Sequence, residues 1–585
     1  MKPYKFKYFI AIFSSMVCNI CRAIPPFLIG LTISELARNI AQRVNTNTGG
    51  INFDYIYKII LLIVIVGIID SIADFIANYI LSQAVQDTTL DLRKEIYTKL
   101  NKLPVSYYDS RQQGEILSRV TTDVTVISEA LQQSLLNVLG STLYMIFSIG
   151  FMFHLAPFFT IIALIIIPIC VIVFKKITKK STPYFTELQN SLGDLNGYAQ
   201  EYYSGHMVIQ LFGQEEESIK NFSKVNENLN KKGFYANFLS SSINPILSGV
   251  IHLSYIALFL LLALTVLNKP LTILGFMVVA PMAIGEIHAF VQYIWQLAGP
   301  IGNITQLTNL LQTAIASLGR VCEVLYEENE SDVLESIDIS NEVVNGDIDF
   351  KNVRFGYNKD EPLMENINID IKAGDTVAIV GPTGAGKTTL INLLMRFYDI
   401  DSGSIKIDGV DINRLSKRQS RSLFGVVSQS PWLYSASIED NIKFGKLDAN
   451  FEEVIQAATL ARADHFIRTL PEGYRTIINE ESTNVSQGEK QLITIARALI
   501  ADPSILILDE ATSSVDTRLE QLLQKAMEEA MKGRTSFIIA HRLSTIRNAD
   551  LILVMNHGSI VEQGNHDELI QQGGIYKELY QSQFQ

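Results

Sequence analysis

Nine residues, Gly381-Pro-Thr-Gly-Ala-Gly-Lys-Thr-Thr389, have the types and spacing of a loop that holds phosphate. Gly381, Gly386, Lys387 and Thr388 fit G-x-x-x-x-G-K-[ST], and Thr383, Gly384, Ala385 and Thr389 complete the stretch. Glycines let the backbone curl until successive N–H groups point inward at phosphate oxygens. A helix starting there adds the partial positive charge of its N-terminus. Lys387 is placed to reach β- and γ-phosphates, and the Thr388 hydroxyl to complete a Mg2+ shell. Further on, Ser504-Ile-Leu-Ile-Leu508 ends in the acidic pair Asp509-Glu510. Such a pair at the carboxyl end of a strand suits phosphate chemistry: Asp509 in the metal shell, Glu510 polarising a water for in-line attack. A bare glycine turn and a solvated strand end are the bland alternatives. Each weakens because the other motif is present.

These residues need elements to hold them. Thr376-Val-Ala-Ile-Val380 reads as a buried strand entering the loop, and Leu390-Ile-Asn-Leu-Leu-Met395 as the helix leaving it. At 585 residues the chain exceeds one core, and domain sizes suggest about three to four units. The mean hydropathy of +0.20 conceals a split. Long apolar runs fill the first half, and the remainder has the mixed composition of a soluble α/β domain. Net charge is −12, with acidic clusters such as Gln214-Glu-Glu-Glu217 and Glu327-Glu-Asn-Glu330, so no basic patch points to nucleic acid. Cys18 and Cys21 form C-x-x-C without a second pair and inside an apolar helix. A reduced packing role is expected rather than zinc or redox chemistry. Lys2, Lys5 and Lys7 precede the first apolar run, which Arg22 interrupts and no small-residue cleavage site follows; a retained membrane helix is expected.

Six segments reach the ~20 residues needed to cross a hydrocarbon core. They are Tyr8–Leu31, Ile56–Leu81, Leu131–Phe153, Phe158–Phe174, Pro245–Leu267 and Leu271–Leu297. The long polar segments after the second and fourth carry most lysines and arginines, whereas the opposite loops hold little beyond Arg38, Arg43 and Lys269. The positive-inside rule therefore puts both termini, both long loops and the phosphate loop in the cytoplasm. Asp70, Asp74 and Asn78 share one helix face, as do His288 and Gln292. The bland reading is a polar seam against other helices or a water-filled cavity; intramembrane polar residues are otherwise functional candidates. Depth counted from opposite membrane faces separates Arg22 from Asp70 by ~10 Å, so no pair is expected. Pro25-Pro26 and Pro281 are expected to kink their helices.

Leu103-Pro-Val-Ser-Tyr-Tyr-Asp109 with Gly114-Glu-Ile-Leu-Ser-Arg-Val120 and Asp123 resembles the first intracellular loop of ATP-binding-cassette exporters. Glu201-Tyr-Tyr-Ser-Gly205 and Phe212-Gly-Gln-Glu215 resemble the second. Val485-Ser-Gln-Gly-Glu489 resembles the LSGGQ signature that other phosphate-loop ATPases lack. By its motifs nearly the whole chain is similar to exporter-type half-transporters of the bacterial multidrug kind. The resemblance implies a membrane α-helical domain of six transmembrane helices fused to a cytoplasmic α/β, RecA-like cassette. The expected division is residues 1–322 as membrane domain, 323–345 as an acidic linker and 346–585 as ATPase. It further implies ATP and Mg2+ as cofactors, Tyr357 stacking on adenine, and Gln429 meeting Mg2+ or the attacking water. His541 is then the switch residue at the γ-phosphate, beside the catalytic Glu510. Ser486, Gly488 and Asp516 are expected to complete the nucleotide site of a second half-transporter chain. Expected partners are that chain, membrane lipids and a hydrophobic small-molecule substrate.

Competing readings are a homodimeric lipid or peptide exporter and a non-transporting regulator or channel of the same architecture. Intact Glu510 and His541 argue against an inactive regulator. One departure stands out: Glu489 replaces the usual glutamine, placing a carboxylate before an already anionic nucleotide. Asn479-Glu-Glu-Ser482 also departs from the usual glycine-containing loop, though Glu480 matches its acid. These changes favour a partner different from this chain. Against that, Ser486-x-x-Glu489 is a capping box, which stabilises a helix by ~1 kcal/mol without functional meaning.

Overall fold

The computed structural model describes residues 2–46, 50–266, 271–273, 276–279, 282–296, 298–332, 337, 344–358, 361–479, 484–509, 517–539 and 546–582. Two compact units emerge. One comprises Met1–Asn101 and Gln113–Glu327; the other comprises Lys102–Gln112 and Glu328–Gln585.

The first unit is mainly helical, and among the described residues three stretches are long and apolar enough to cross a membrane: Lys5–Asn45, Phe53–Leu100 and Gln113–Leu155. The first breaks at Ile24, between helices Lys5–Ala23 and Pro25–Thr46, because proline lacks the N–H that would continue the ladder. Phe53–Leu100 has 48 residues. At 1.5 Å per residue it is roughly 72 Å long, more than twice a ~30 Å hydrocarbon core. The expected fourth segment divides into Pro157–Leu164 and Ile166–Ser204, and Ile243–Val266 is a 24-residue helix.

Two expectations fail here. Leu271–Leu297 is not one helix. Leu271–Ile273 pairs antiparallel with Phe276–Val279, and helix begins only at Ile284. Thr272, Ile273, Val278 and Val279 are β-branched, and stiff side chains of that kind favour the extended chain. Pro281 lies outside the described residues. Arg22 does pair with Asp70, Nε to Oδ1 at 3.2 Å, and with Asp74 at 3.2 Å. Neighbouring contacts fix the register: Lys7 reaches Asp87 at 2.7 Å and Tyr8 reaches Thr88 at 3.0 Å. The second helix outruns the bilayer, so depth measured from its outer end misplaces Asp70. Measured from the cytoplasmic end, the two residues are level. Cys18 and Cys21 are buried free thiols, and Cys322 is a half-buried one.

The second unit is built on a six-stranded sheet. Its order is Ser559–Gly564, Leu551–Asn556, Thr376–Val380, Thr535–Ile539, Ile505–Asp509, Phe424–Val427, all parallel save the first strand. Successive side chains leave opposite faces of a strand. Val377, Ile379, Ile505, Ile507, Phe537 and Ile539 enter one core, and Ala378, Val380, Leu506, Leu508 and Ile538 the other. Burial on both faces explains why these strands are unbroken apolar runs in the sequence. A four-stranded antiparallel sheet, ordered Met364–Ile371, Ile348–Phe355, Ser402–Ile407, Val410–Asp411, closes the first core. The short helix Val105–Asp109 belongs to this unit although it lies between helices of the other.

Candidate active site

Strand registry sets the geometry. Ile539 lies beside Ile379 on one side and Asp509 on the other. The phosphate loop, the end of Thr535–Ile539 and the acidic strand end therefore leave the sheet at one carboxyl edge, where α/β sheets bind ligands. Glu510, Asp516 and His541, together with Glu480, lie outside the described residues.

The loop is curled as its glycines allow. Gly381, Gly384 and Gly386 have φ of 150°, 82° and 98°, values side chains rarely adopt. A Cβ on Gly381 would sit 2.2 Å from the Met555 carbonyl oxygen, so alanine does not fit without moving backbone. Helix Lys387–Leu394 starts directly after the left-handed Gly386, with no side chain capping its N-terminus. Ala385 is buried, Thr383 and Gly384 exposed, and Thr388 is exposed at the helix start. The Lys387 ammonium donates to the Gly381 carbonyl at 2.8 Å and that of Pro382 at 3.0 Å. Burial lowers its pKa while the Asp509 carboxylate opposes the shift. A cation held at a cost of desolvation, inside a curl of backbone, suits a polyphosphate that would neutralise it.

Tyr357 packs edge-on against Phe355 and Tyr398, each with centroids 5.1 Å apart, and its hydroxyl meets Thr389 Oγ1 at 3.0 Å. Thr389 is buried beside the tyrosine, a residue that is itself 54% exposed. Tyr398 in turn donates to Asp109 Oδ2 at 2.5 Å. Burial, and then that carboxylate, raise the Tyr398 pKa. The chain from Tyr357 through Tyr398 to Asp109 was not anticipated from sequence; an aromatic just past the loop helix, in Arg396-Phe-Tyr-Asp399, was its only signal.

Gln429 is exposed after the strand Phe424–Val427. Its segment is anchored by the signature helix: Gln491 Nε2 donates to the Ser428 carbonyl at 3.2 Å. Arg497 on the same helix donates to the Trp432 carbonyl at 2.9 Å and to Asn441. Gln491 and Arg497 therefore fix the two segments to each other, a role the signature pattern alone did not reveal.

Ser486 caps helix Gln487–Ile500, with Glu489 completing the box. The Glu489 carboxylate accepts both the Ser486 N–H and its hydroxyl, at 2.7 Å each. Gly488 is buried and Ser486 exposed.

Comparison with known proteins agrees with this geometry. Residues 8–285 match the ABC transporter transmembrane region, and residues 364–513 match the ABC transporter domain family. A fatty acid ABC transporter ATP-binding/permease protein of Mycobacterium bovis is 42% identical over 85% of this chain and 77% of its own length. An uncharacterised ABC transporter ATP-binding protein of Bacillus subtilis, YfiC, is 40% identical over 86% of this chain and 81% of its own. Among solved structures, a bacterial Atm1-family ABC exporter with ATP bound matches with a TM-score of 0.74 and 26% identity. That match covers 100% of this chain and 98% of the other.

Proposed function

Because the chain belongs to the ATP-binding-cassette exporters, in which a membrane region is fused to an ATPase that couples hydrolysis to transport, we propose that it exports hydrophobic or amphipathic compounds across the cytoplasmic membrane. The alignment of Ile379, Ile539 and Asp509 at one sheet edge supports this most directly, since it gathers the phosphate loop and acidic strand end in a membrane-attached chain. Gly381 to Thr389 cradle the phosphates, Lys387 neutralises them, and Tyr357 stacks on the base. Thr388, Asp509 and Gln429 would hold Mg2+, which when bound would draw charge from the phosphates. Glu510 takes the proton of the attacking water, and His541 orients the γ-phosphate. Both termini lie in the cytoplasm. The fatty-acid transport in the mycobacterial relative's name supports a substrate with an acyl tail. Mg2+-dependent ATPase and ATP-driven substrate uptake into inverted vesicles test the reading; uptake unaffected by ATP would reject it.

The native partner is a different chain. The Ser486 hydroxyl is donated to Glu489, so it is not free to be donated to a phosphate at the same time. The carboxylate also repels that phosphate. The competent site is then this chain's Lys387, Asp509, Glu510 and His541, completed by the partner's signature. Expression of this chain alone and with its genomic neighbour decides the matter. A stable, fully active homodimer would overturn the heterodimer reading.

A further inference from the structure

Between helices Lys5–Ala23, Phe53–Leu100 and Val124–Leu155 lies a cavity of about 460 Å³, lined also by Gln296. Its wall carries Ser15, Asn19, Arg22, Asp74, Asn78 and Tyr144, polar residues on helical stretches long and apolar enough to cross a membrane. Two independent observations describe what would fit it. The first is charge. Arg22 bridges Asp70 and Asp74 at 3.2 Å each, and among the described residues neither carboxylate has another cation. One guanidinium against two carboxylates leaves a unit of negative charge on the cavity wall, where Asp74 is half exposed, and such a charge favours a counter-cation.

The second is hydrogen bonding. Asn19 is 94% buried, at 6% exposure, and its amide donates to the Ser15 carbonyl at 2.7 Å. That bond fixes which end of the amide is which. Its oxygen is left on the cavity wall with no donor among the described residues. Asn78 repeats the pattern, its amide spent on the Asp74 carbonyl at 2.9 Å. The Cys18 thiol already donates to Asp70 at 3.1 Å. The Asn19 and Asn78 amide oxygens therefore stand as acceptors on the wall.

Resting on the exporter reading above, we propose that this cavity binds the protonated amine of a cationic amphiphile, with Asp74 as its counter-ion and Asn19 as an acceptor. An ammonium supplies a positive charge for Asp74 and several N–H donors for these amide oxygens. A fatty carboxylate supplies neither and would meet Asp74 directly.

Three radiolabelled probes of equal tail length test this: dodecylammonium, dodecyltrimethylammonium and dodecanoate. Binding to the assembled dimer in lipid nanodiscs is measured without nucleotide, against empty nanodiscs, after size-exclusion selection of intact dimers. Dodecylammonium should bind at least tenfold tighter than dodecanoate and severalfold tighter than the trimethyl probe, which has charge but no N–H. Asp74→Asn should remove most of the preference for cation over anion, and Asp74→Glu should restore it. Arg22→Gln, which removes the competing cation, should tighten dodecylammonium binding, the opposite of what general damage to the helices would do. Equal or tighter binding of dodecanoate, or an Asp74→Asn dimer that keeps its preference, would overturn the proposal. A failure of the exporter reading would appear separately, as intact binding without ATP-driven transport.

Discussion

On the proposed reading Lys387 and Glu510 act on the same phosphates in different ways, and their substitutions should fail differently. Lys387→Ala removes a charge-assisted contact of about 1.5–3 kcal/mol, so ATP affinity should fall roughly ten- to a hundredfold in equilibrium binding. Unchanged affinity would exclude the phosphate-loop assignment. Glu510→Gln keeps the loop and Asp509 but loses the base. Turnover should drop by roughly 10²–10⁴ with nucleotide binding retained, and turnover near the parent's would remove Glu510 from its role. Glu489→Gln separates cap from charge, because glutamine also serves at the third position of a capping box. The signature helix should stay folded by circular dichroism, while ATPase activity rises in any dimer where this signature faces a competent site. The curl of the loop and the strand ending at Asp509 were legible because their signals are local: glycines at positive φ and an apolar run need no distant partner to be recognised. Tyr398 was not, since its meaning comes from Asp109, far away in the chain.

Among the elements, helix Val105–Asp109 joins the membrane half's sequence to the nucleotide-binding unit's packing. Asp109→Asn keeps shape and weakens the bond from Tyr398. Basal ATPase should persist, whereas its stimulation by transported substrate should fall severalfold. Undiminished stimulation would show the contact to be merely structural. At this scale the sequence misled in two places, each for a physical reason. Hydropathy averages over a window, so Leu271–Val279 passed for helix although its β-branched residues pair as strands. Bilayer thickness is a poor ruler for helices that leave the bilayer, which is why Arg22 and Asp70 were placed apart. The parallel strands, by contrast, were legible because burial on both faces writes an unbroken apolar run.

For the whole molecule, the ties between the segment after Glu327 and the ATPase decide where the chain tolerates being cut. Lys417, 6% exposed, reaches Glu330 at 3.5 Å and Asp399 at 3.2 Å, and its backbone N–H donates to Asp332. Arg421 grips the same Glu330 through both terminal nitrogens. An isolated cassette starting at residue 328 keeps these partners. One starting at residue 346 leaves a buried ammonium with a single carboxylate and Arg421 with none of its acid, so it should melt several degrees lower by calorimetry. Equal melting temperatures would show the ties to be weightless. The acidic stretch that reads in sequence as a spacer would then behave as a detachable tether; if the melting points differ, it is the last strap of the ATPase fold, and a protease that nicks it loosens the engine before it severs the chain.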